Sequence, residues 1–204
     1  SLVDNWLELN TRLPFVRNIW NSVYIAVLGT GLTLCFSSLA GYAFACYSFR
    51  LKEILFAFML STMMVPRFVT LIPWFILVRA FGWLNEPRAL YIPSIANAFA
   101  VFLMRSYMES AISSELIDAA RIDGCSEFGI YSAIVMPLVK PGLGALGIIT
   151  FVNLWNAFLN ALVILESYET YTIPVALRSI QGTTDIEWGA LMVGSATAVL
   201  PMMM

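Results

Sequence analysis

The chain has 204 residues, 60% of them hydrophobic and only 12% charged, with a net charge of −2 and no histidine. Soluble domains carry about 45–50% apolar and about 25% charged residues, so this excess of apolar surface points to lipid as the solvent. The small net charge gives no basis for nucleic-acid binding, and the lack of histidine removes the commonest general base and metal ligand.

A spanning helix needs about 20 mostly apolar residues. After a polar lead-in over residues 1–20, five stretches meet or approach that length: Asn21–Phe49, Ile54–Phe81, Ala89–Tyr107, Gly142–Leu165 and a last one from Trp188 to Met204. The pattern predicts an all-α, polytopic helical membrane protein. Pro66 and Pro73 interrupt the second stretch, and Gly82–Arg88 reads as a turn. Glu166–Glu187 reads as a longer polar loop with Pro174 in its middle. Cys35, Cys46 and Cys125 show no CxxC spacing, so neither a zinc site nor a disulfide framework is expected. The start at Ser1 and the stop at Met204, inside an apolar run, lead us to expect a preceding segment and a polar tail beyond this sequence.

Basic residues do not orient the chain. If Arg50–Glu53 and 108–141 share one side, that side holds Arg50, Lys52, Arg105, Arg121 and Lys140, and the other holds Arg12, Arg17, Arg79, Arg88 and Arg178. The counts are equal, so the positive-inside rule is silent.

The longest break between apolar stretches, 108–141, is rich in helix formers. Within it, Glu115, Asp118, Ala119 and Ile122 fall at helical spacing, and Ala119-Ala120 offers a small surface that a partner can approach closely. Gly124 can end that helix in a left-handed conformation. Ser126 suits the N-cap of a second helix, with Phe128, Tyr131, Ile134 and Val135 on one face. Pro137 and Pro141 sit poorly inside a helix and are expected to mark the return to the membrane. On spacing alone, an ordinary surface hairpin remains an alternative.

Polar residues inside spans are costly and often functional. Thr150, Asn153, Asn156 or Ala157, and Asn160 are spaced to share one helical face, flanked by Trp155 and Phe158. Amides beside aromatic rings suit a hydroxyl-rich solute, and interhelical hydrogen bonding is the alternative. Arg67 follows Pro66 near the middle of the second stretch. It either faces a solute path, which favours an acidic or phosphorylated solute, or snorkels to the outer interface. Arg105 reads as an interface anchor. Glu166, Glu169, Asp185 and Glu187 bracket the outer loop and either meet a partner protein or are simply solvated, the latter being the favoured reading.

The run E-x-x-D-A-A-x-x-D-G formed by Glu115, Asp118, Ala119, Ala120, Asp123 and Gly124, followed by Pro137 and Pro141, resembles the EAA motif of membrane subunits of binding-protein-dependent ABC importers. Asp118 stands where that motif usually has a second glutamate. Asn21-Ser22, Ala40–Ala43, Val65-Pro66, Ile72-Pro73, Phe151–Phe158 and Trp188–Ala190 are similar to the carbohydrate-uptake branch of these permeases. The resemblance implies the ABC importer permease fold, usually of six spans, so the first would precede this sequence. It implies a multi-pass protein of the inner membrane with 108–141 in the cytoplasm. The expected partners are a second homologous permease, two ATPase subunits that bind the ATP and magnesium, and a periplasmic solute-binding protein. The chain has no GxxxxGK[ST] loop of its own, and no cofactor or metal is expected in it. An importer of amino acids or inorganic anions shares the cytoplasmic motif and stays open, as does, more remotely, a polytopic membrane enzyme.

Overall fold

A computed structural model describes residues 2–181, 188–199, 201 and 203, with the side chains of Leu2 and Arg67 outside that description. Every regular element among the described residues is helical. The contacts divide into two units: Ser1–Gly29, Leu71–Ile92 and Phe151–Met204 form one, and Thr30–Thr70 with Pro93–Thr150 form the other.

The lead-in folds as helix α1, Leu2–Arg12. Asp4 in its first turn and Arg12 in its last complement the helix dipole, and Arg12 pairs with Glu8 at 2.9 Å. Leu9 and Phe15 are fully buried in a cluster with Trp155, Ile173, Ile180 and Ala190. The lead-in is therefore packed into the first unit.

Helix α2 runs over Phe15–Cys46, starting six residues before the expected Asn21 and ending three before Phe49. Its 32 residues rise about 48 Å, well beyond the ~30 Å hydrocarbon core. The early start has a tertiary cause. Asn18 Nδ2 donates to the carbonyls of Tyr168 (2.7 Å) and Tyr171 (3.0 Å). Asn21 Nδ2 donates to those of Glu169 (2.8 Å) and Tyr171 (3.1 Å), and Ser22 Oγ accepts from Ile173 N at 2.9 Å. Polar side chains at the start of α2 thus hold down a later loop.

The second apolar stretch is two helices, α3 Lys52–Ser61 and α4 Arg67–Ala80, joined by a 3₁₀ turn at Thr62–Met64. Val65, before Pro66, is extended (φ −76°, ψ 120°), as the proline ring demands. Pro73 lies inside α4 without ending it, so Pro66 alone makes the break. No residue of α3 is buried, and Phe58 is 70% exposed, as expected where lipid or another subunit completes the packing.

Arg88–Ala111 is long and apolar enough to cross a membrane. A 3₁₀ turn at Ile92–Ile95 breaks it, and Asn97 caps the main helix, α5 Ala98–Ala111, by accepting from Ala100 N at 3.1 Å. Thr33 Oγ1 of α2 donates to the Ser94 carbonyl at 2.9 Å and so satisfies the break.

Next come α6 Ser114–Ile122, then a helical segment, α7 Glu127–Leu138, and α8 Lys140–Trp155, with a 77° bend between α7 and α8. A short α9, Leu159–Ile164, follows. The expected polar loop 166–187 contains a helix, α10 Ile173–Gln181, whose Ile173, Val175, Ala176 and Ile180 are buried. Pro174 lies in its first turn, where a missing N–H costs nothing, so it starts a helix rather than preventing one. The last element, α11, is Trp188–Val199. By length and composition two described helices can cross a membrane, or up to four if each bent pair is one span.

Candidate functional site

The expected helix–turn–helix is present, and its caps explain its shape. Ser113 is extended and its Oγ accepts from Leu116 N at 3.3 Å, fixing the start of α6. Glu115 lies in the first turn. Hydrogen bonds from its own backbone N–H and then from the Ser113 hydroxyl hold its carboxyl below the usual range. At the other end Gly124 takes φ +82°, Cys125 N donates to Ala120 O and Gly124 N to Arg121 O, both at 3.0 Å. That bond pair is the Schellman arrangement, and Asp123 occupies the C-cap before it.

The two faces of α6 differ in kind. Ile117 (3% exposed) and Ala120 (6%) pack into a core with Met104, Met108, Ile130 and Tyr131. Glu115, Asp118, Ala119 and Ile122 face outward, Ile122 at 86% exposure. The alanine pair is thus divided: Ala119 belongs to the outer surface and Ala120 to the anchor.

Ser126 caps α7 as expected, its Oγ accepting from Gly129 N at 3.1 Å. The predicted face of Phe128, Tyr131, Ile134 and Val135 is corrected. Residues 130–135 form a π-turn, which shifts the helical phase and buries Ile130, Tyr131 and Val135. Phe128 is 72% exposed. Pro137 does not end α7 either. It sits in the α-turn Met136–Leu138, directly after the widened segment, and the chain breaks at Val139 (φ −96°, ψ 10°). Pro141 lies in the first turn of α8, where it loses no bond.

Sequence reasoning missed the polar contacts across the Gly124 turn. Glu127 accepts from Arg121 through both carboxylate oxygens, Nε to Oε1 at 2.7 Å and Nη2 to Oε2 at 3.3 Å. Arg121 Nη1 also reaches Asp118 Oδ1 at 3.3 Å. The Tyr47 hydroxyl donates to Glu127 Oε2, with Tyr42 at 3.5 Å from the same oxygen. The signal was available: a Schellman turn brings residues on either side of its glycine together. The Arg121 bonds, then that from Tyr47, hold the Glu127 carboxyl below the usual range, while Glu127 raises the Arg121 guanidinium further. A lowered carboxyl contributes in full above its unfolded value and fades only as pH falls through the lowered one. Between about pH 5 and pH 8 this network is expected to add no pH dependence to the thermal midpoint. A midpoint that drops from pH 7 to pH 5 in the parent, but not in Glu127→Gln, is the contrary result.

Other singled-out residues are dispersed. Arg105 Nε pairs with Glu109 at 2.7 Å, its Nη2 with Glu53 at 3.4 Å, and its guanidinium carbon lies 4.0 Å from the Phe56 ring centroid. The single face of Thr150, Asn153, Asn156 and Asn160 does not form, because α8 ends at Trp155 and Asn160 belongs to α9. Ala157 and Phe158 lie in the break. The Asn156 amide donates to Val152 O at 2.9 Å and closes the helix end. Asn153, Asn156 and Asn160 are exposed, and Thr150 is buried. Trp155 is buried too, stacked on Phe151 at 5.8 Å with its Nε1 donating to Ala198 O at 3.0 Å. Glu166 and Glu169 are exposed. Asp185, Glu187 and the Arg67 side chain lie outside the described residues.

Comparison with known proteins gives this helical architecture a family. A profile described as "Binding-protein-dependent transport system inner membrane component" matches residues 33–203. The chain is 37% identical to the lactose transport system permease protein LacG of Rhizobium radiobacter, covering 98% of this chain and 73% of that protein. It is 38% identical to the arabinooligosaccharides transport system permease protein AraQ of Bacillus subtilis, covering 97% and 70%. A chain from the crystal structure of a bacterial ABC transporter involved in import of the acidic polysaccharide alginate matches with a TM-score of 0.82 at 26% identity, over 93% of this chain and 71% of that one. These relatives are transport permeases, which sets aside the membrane-enzyme alternative. With matches over nearly its whole length, the chain belongs to the binding-protein-dependent transport system inner membrane components.

Proposed function

We propose that this chain is the permease subunit of a saccharide importer and that α6 is its docking element for a separate ATPase. The observation that carries the docking is the division of α6. One face, Ile117 and Ala120, is fixed in the core, while Glu115, Asp118, Ala119 and Ile122 are exposed on the other. A helix capped at both ends, with one face anchored, moves as a body when pushed, which a docking element requires. The permease relatives named for lactose and arabinooligosaccharides favour a saccharide as solute.

In this reading 108–141 lies in the cytoplasm, and a second homologous permease completes the path. Two ATPase subunits bind ATP and magnesium, and a periplasmic binding protein delivers the solute. Closure of the ATPase pair displaces α6 and turns the permease halves between inward- and outward-facing states. Asp123, Gly124, Pro137 and Pro141 set the angles at which α6 and α7 leave and re-enter the membrane domain. Asn153 and Asn160, with Asn156 next to the helix end it closes, are the amides that would line a solute path, with Arg67 as the cation that would favour an acidic solute.

The test is the whole complex in proteoliposomes with its binding protein, assayed for ATP hydrolysis against neutral saccharides, acidic saccharides, amino acids and inorganic anions. Stimulation by one or more saccharides is expected. Stimulation only by amino acids or inorganic anions refutes the saccharide assignment.

A further inference from the structure

Docking explains how α6 is moved, but α6 is followed by a turn at Gly124 about which it could simply pivot. The side chains across that turn bear on this. Arg121 precedes Gly124 and Glu127 follows it, and they are joined by a two-pronged ion pair. The same carboxylate continues outward to the Tyr47 hydroxyl, just past the end of α2. Tyr47 is itself held: its carbonyl accepts from Lys52 Nζ at 3.0 Å, its N–H donates to Ala43 O at 3.3 Å, and its ring meets that of Tyr42 edge-on at 5.4 Å. The Arg121 guanidinium carbon lies 5.7 Å from the Tyr47 ring centroid.

We propose that Glu127 is a positioning residue for energy coupling, a strut that closes the Gly124 turn and joins α6 to the end of α2 through Tyr47. The proposal rests on the reading of α6 as the docking element. An isolated surface ion pair adds little to stability, and stability is not the role assigned here. A fork on one side of a carboxylate and a tyrosine on the other fix a direction as well as a distance. With the strut in place, displacement of α6 passes to α2; without it, the turn flexes and part of the stroke is lost. Asp118 Oδ1, 3.3 Å from Arg121 Nη1, gives the guanidinium a second carboxylate partner.

The readout is solute moved per ATP hydrolysed by the reconstituted complex, a ratio that a general loss of folded protein does not change. In Glu127→Gln the ratio is expected to fall roughly fivefold, and in Tyr47→Phe, which leaves the Arg121–Glu127 pair intact, roughly threefold. The exchange Arg121→Glu with Glu127→Arg is expected to recover part of the loss. A ratio within about twofold of the parent in Glu127→Gln overturns the proposal. If that variant does not assemble, Tyr47→Phe is judged by the same criterion. Ile122→Glu, on the outer face, separates the two levels. If it leaves ATPase association and the ratio intact, the docking reading fails and the strut with it. If it strips the ATPase while Glu127→Gln keeps the parent ratio, the strut alone fails.

Discussion

Replacing Gly124 by valine is expected to abolish solute-stimulated ATP hydrolysis while leaving the chain inserted in the membrane. A Cβ at this position meets nothing within 4 Å, so crowding is not the reason. The obstacle is φ +82°, which costs an ordinary residue about 1–2 kcal/mol and a β-branched one more. Valine relieves that strain by abandoning the left-handed turn. The Cys125-to-Ala120 and Gly124-to-Arg121 bonds then go, and the end of α6 points elsewhere. Asparagine tolerates the left-handed region, so Gly124→Asn is expected to keep most of the stimulation. Glu115→Lys attacks the same function from the outer face, reversing a charge that favours the helix N-terminus. Stimulated hydrolysis at the parent rate in Gly124→Val or Glu115→Lys, with the binding protein and solute present, would remove α6 from the coupling path.

The second large effect concerns the helix pair that carries α6. A Cβ on Gly41 of α2 would stand 2.7 Å from Met104 Cβ, 3.0 Å from Arg105 N and 3.1 Å from Met104 C on α5. Two of those atoms are backbone, and the third cannot swing away. Gly41→Val must therefore push α2 and α5 apart and loosen the Tyr42, Met104 and Met108 packing beneath α6. Overpacking of this kind costs about 1–3 kcal/mol. The expected result is a lowered thermal midpoint in detergent and a reduced yield of folded protein. Gly31, on the same helix, has nothing within 4 Å of its would-be Cβ, so Gly31→Ala serves as the matched control and is expected to leave the midpoint unchanged. Equal midpoints for Gly41→Val and Gly31→Ala would contradict the close approach.

Much of this was legible in the residues, where the cause was local. The turn at Gly124 and the cap at Ser126 each depend on neighbours a few positions away, and each is found where expected, whereas the five expected apolar stretches appear as two helices able to cross a membrane, or up to four if each bent pair is one span. The corrections share a different cause. The helix runs back beyond the expected Asn21 through Asn18, whose partner carbonyls lie about 150 residues on. The face through Asn153 and Asn160 presumed an unbroken helix, but the chain interrupts it after Trp155 and uses the Asn156 amide to finish the turn. Phe128 parts from Tyr131 and Val135 because the π-turn at Ile130–Val135 shifts the phase of the residues after it, so the expected common face is split. The Arg121–Glu127 pair spans six positions, a spacing that neither helical nor strand periodicity flags.

The amides at the start of α2 also bear on the order in which the protein is built. Their acceptors, the carbonyls of Tyr168, Glu169 and Tyr171, emerge from the ribosome about 150 residues after the amides do. Until then the Asn18 and Asn21 amides lack these protein partners. Long-range pairings of this kind form late. The start of α2 is therefore completed by residues about 150 positions later, and truncation before Tyr168 is expected to leave α2 helical but without these bonds.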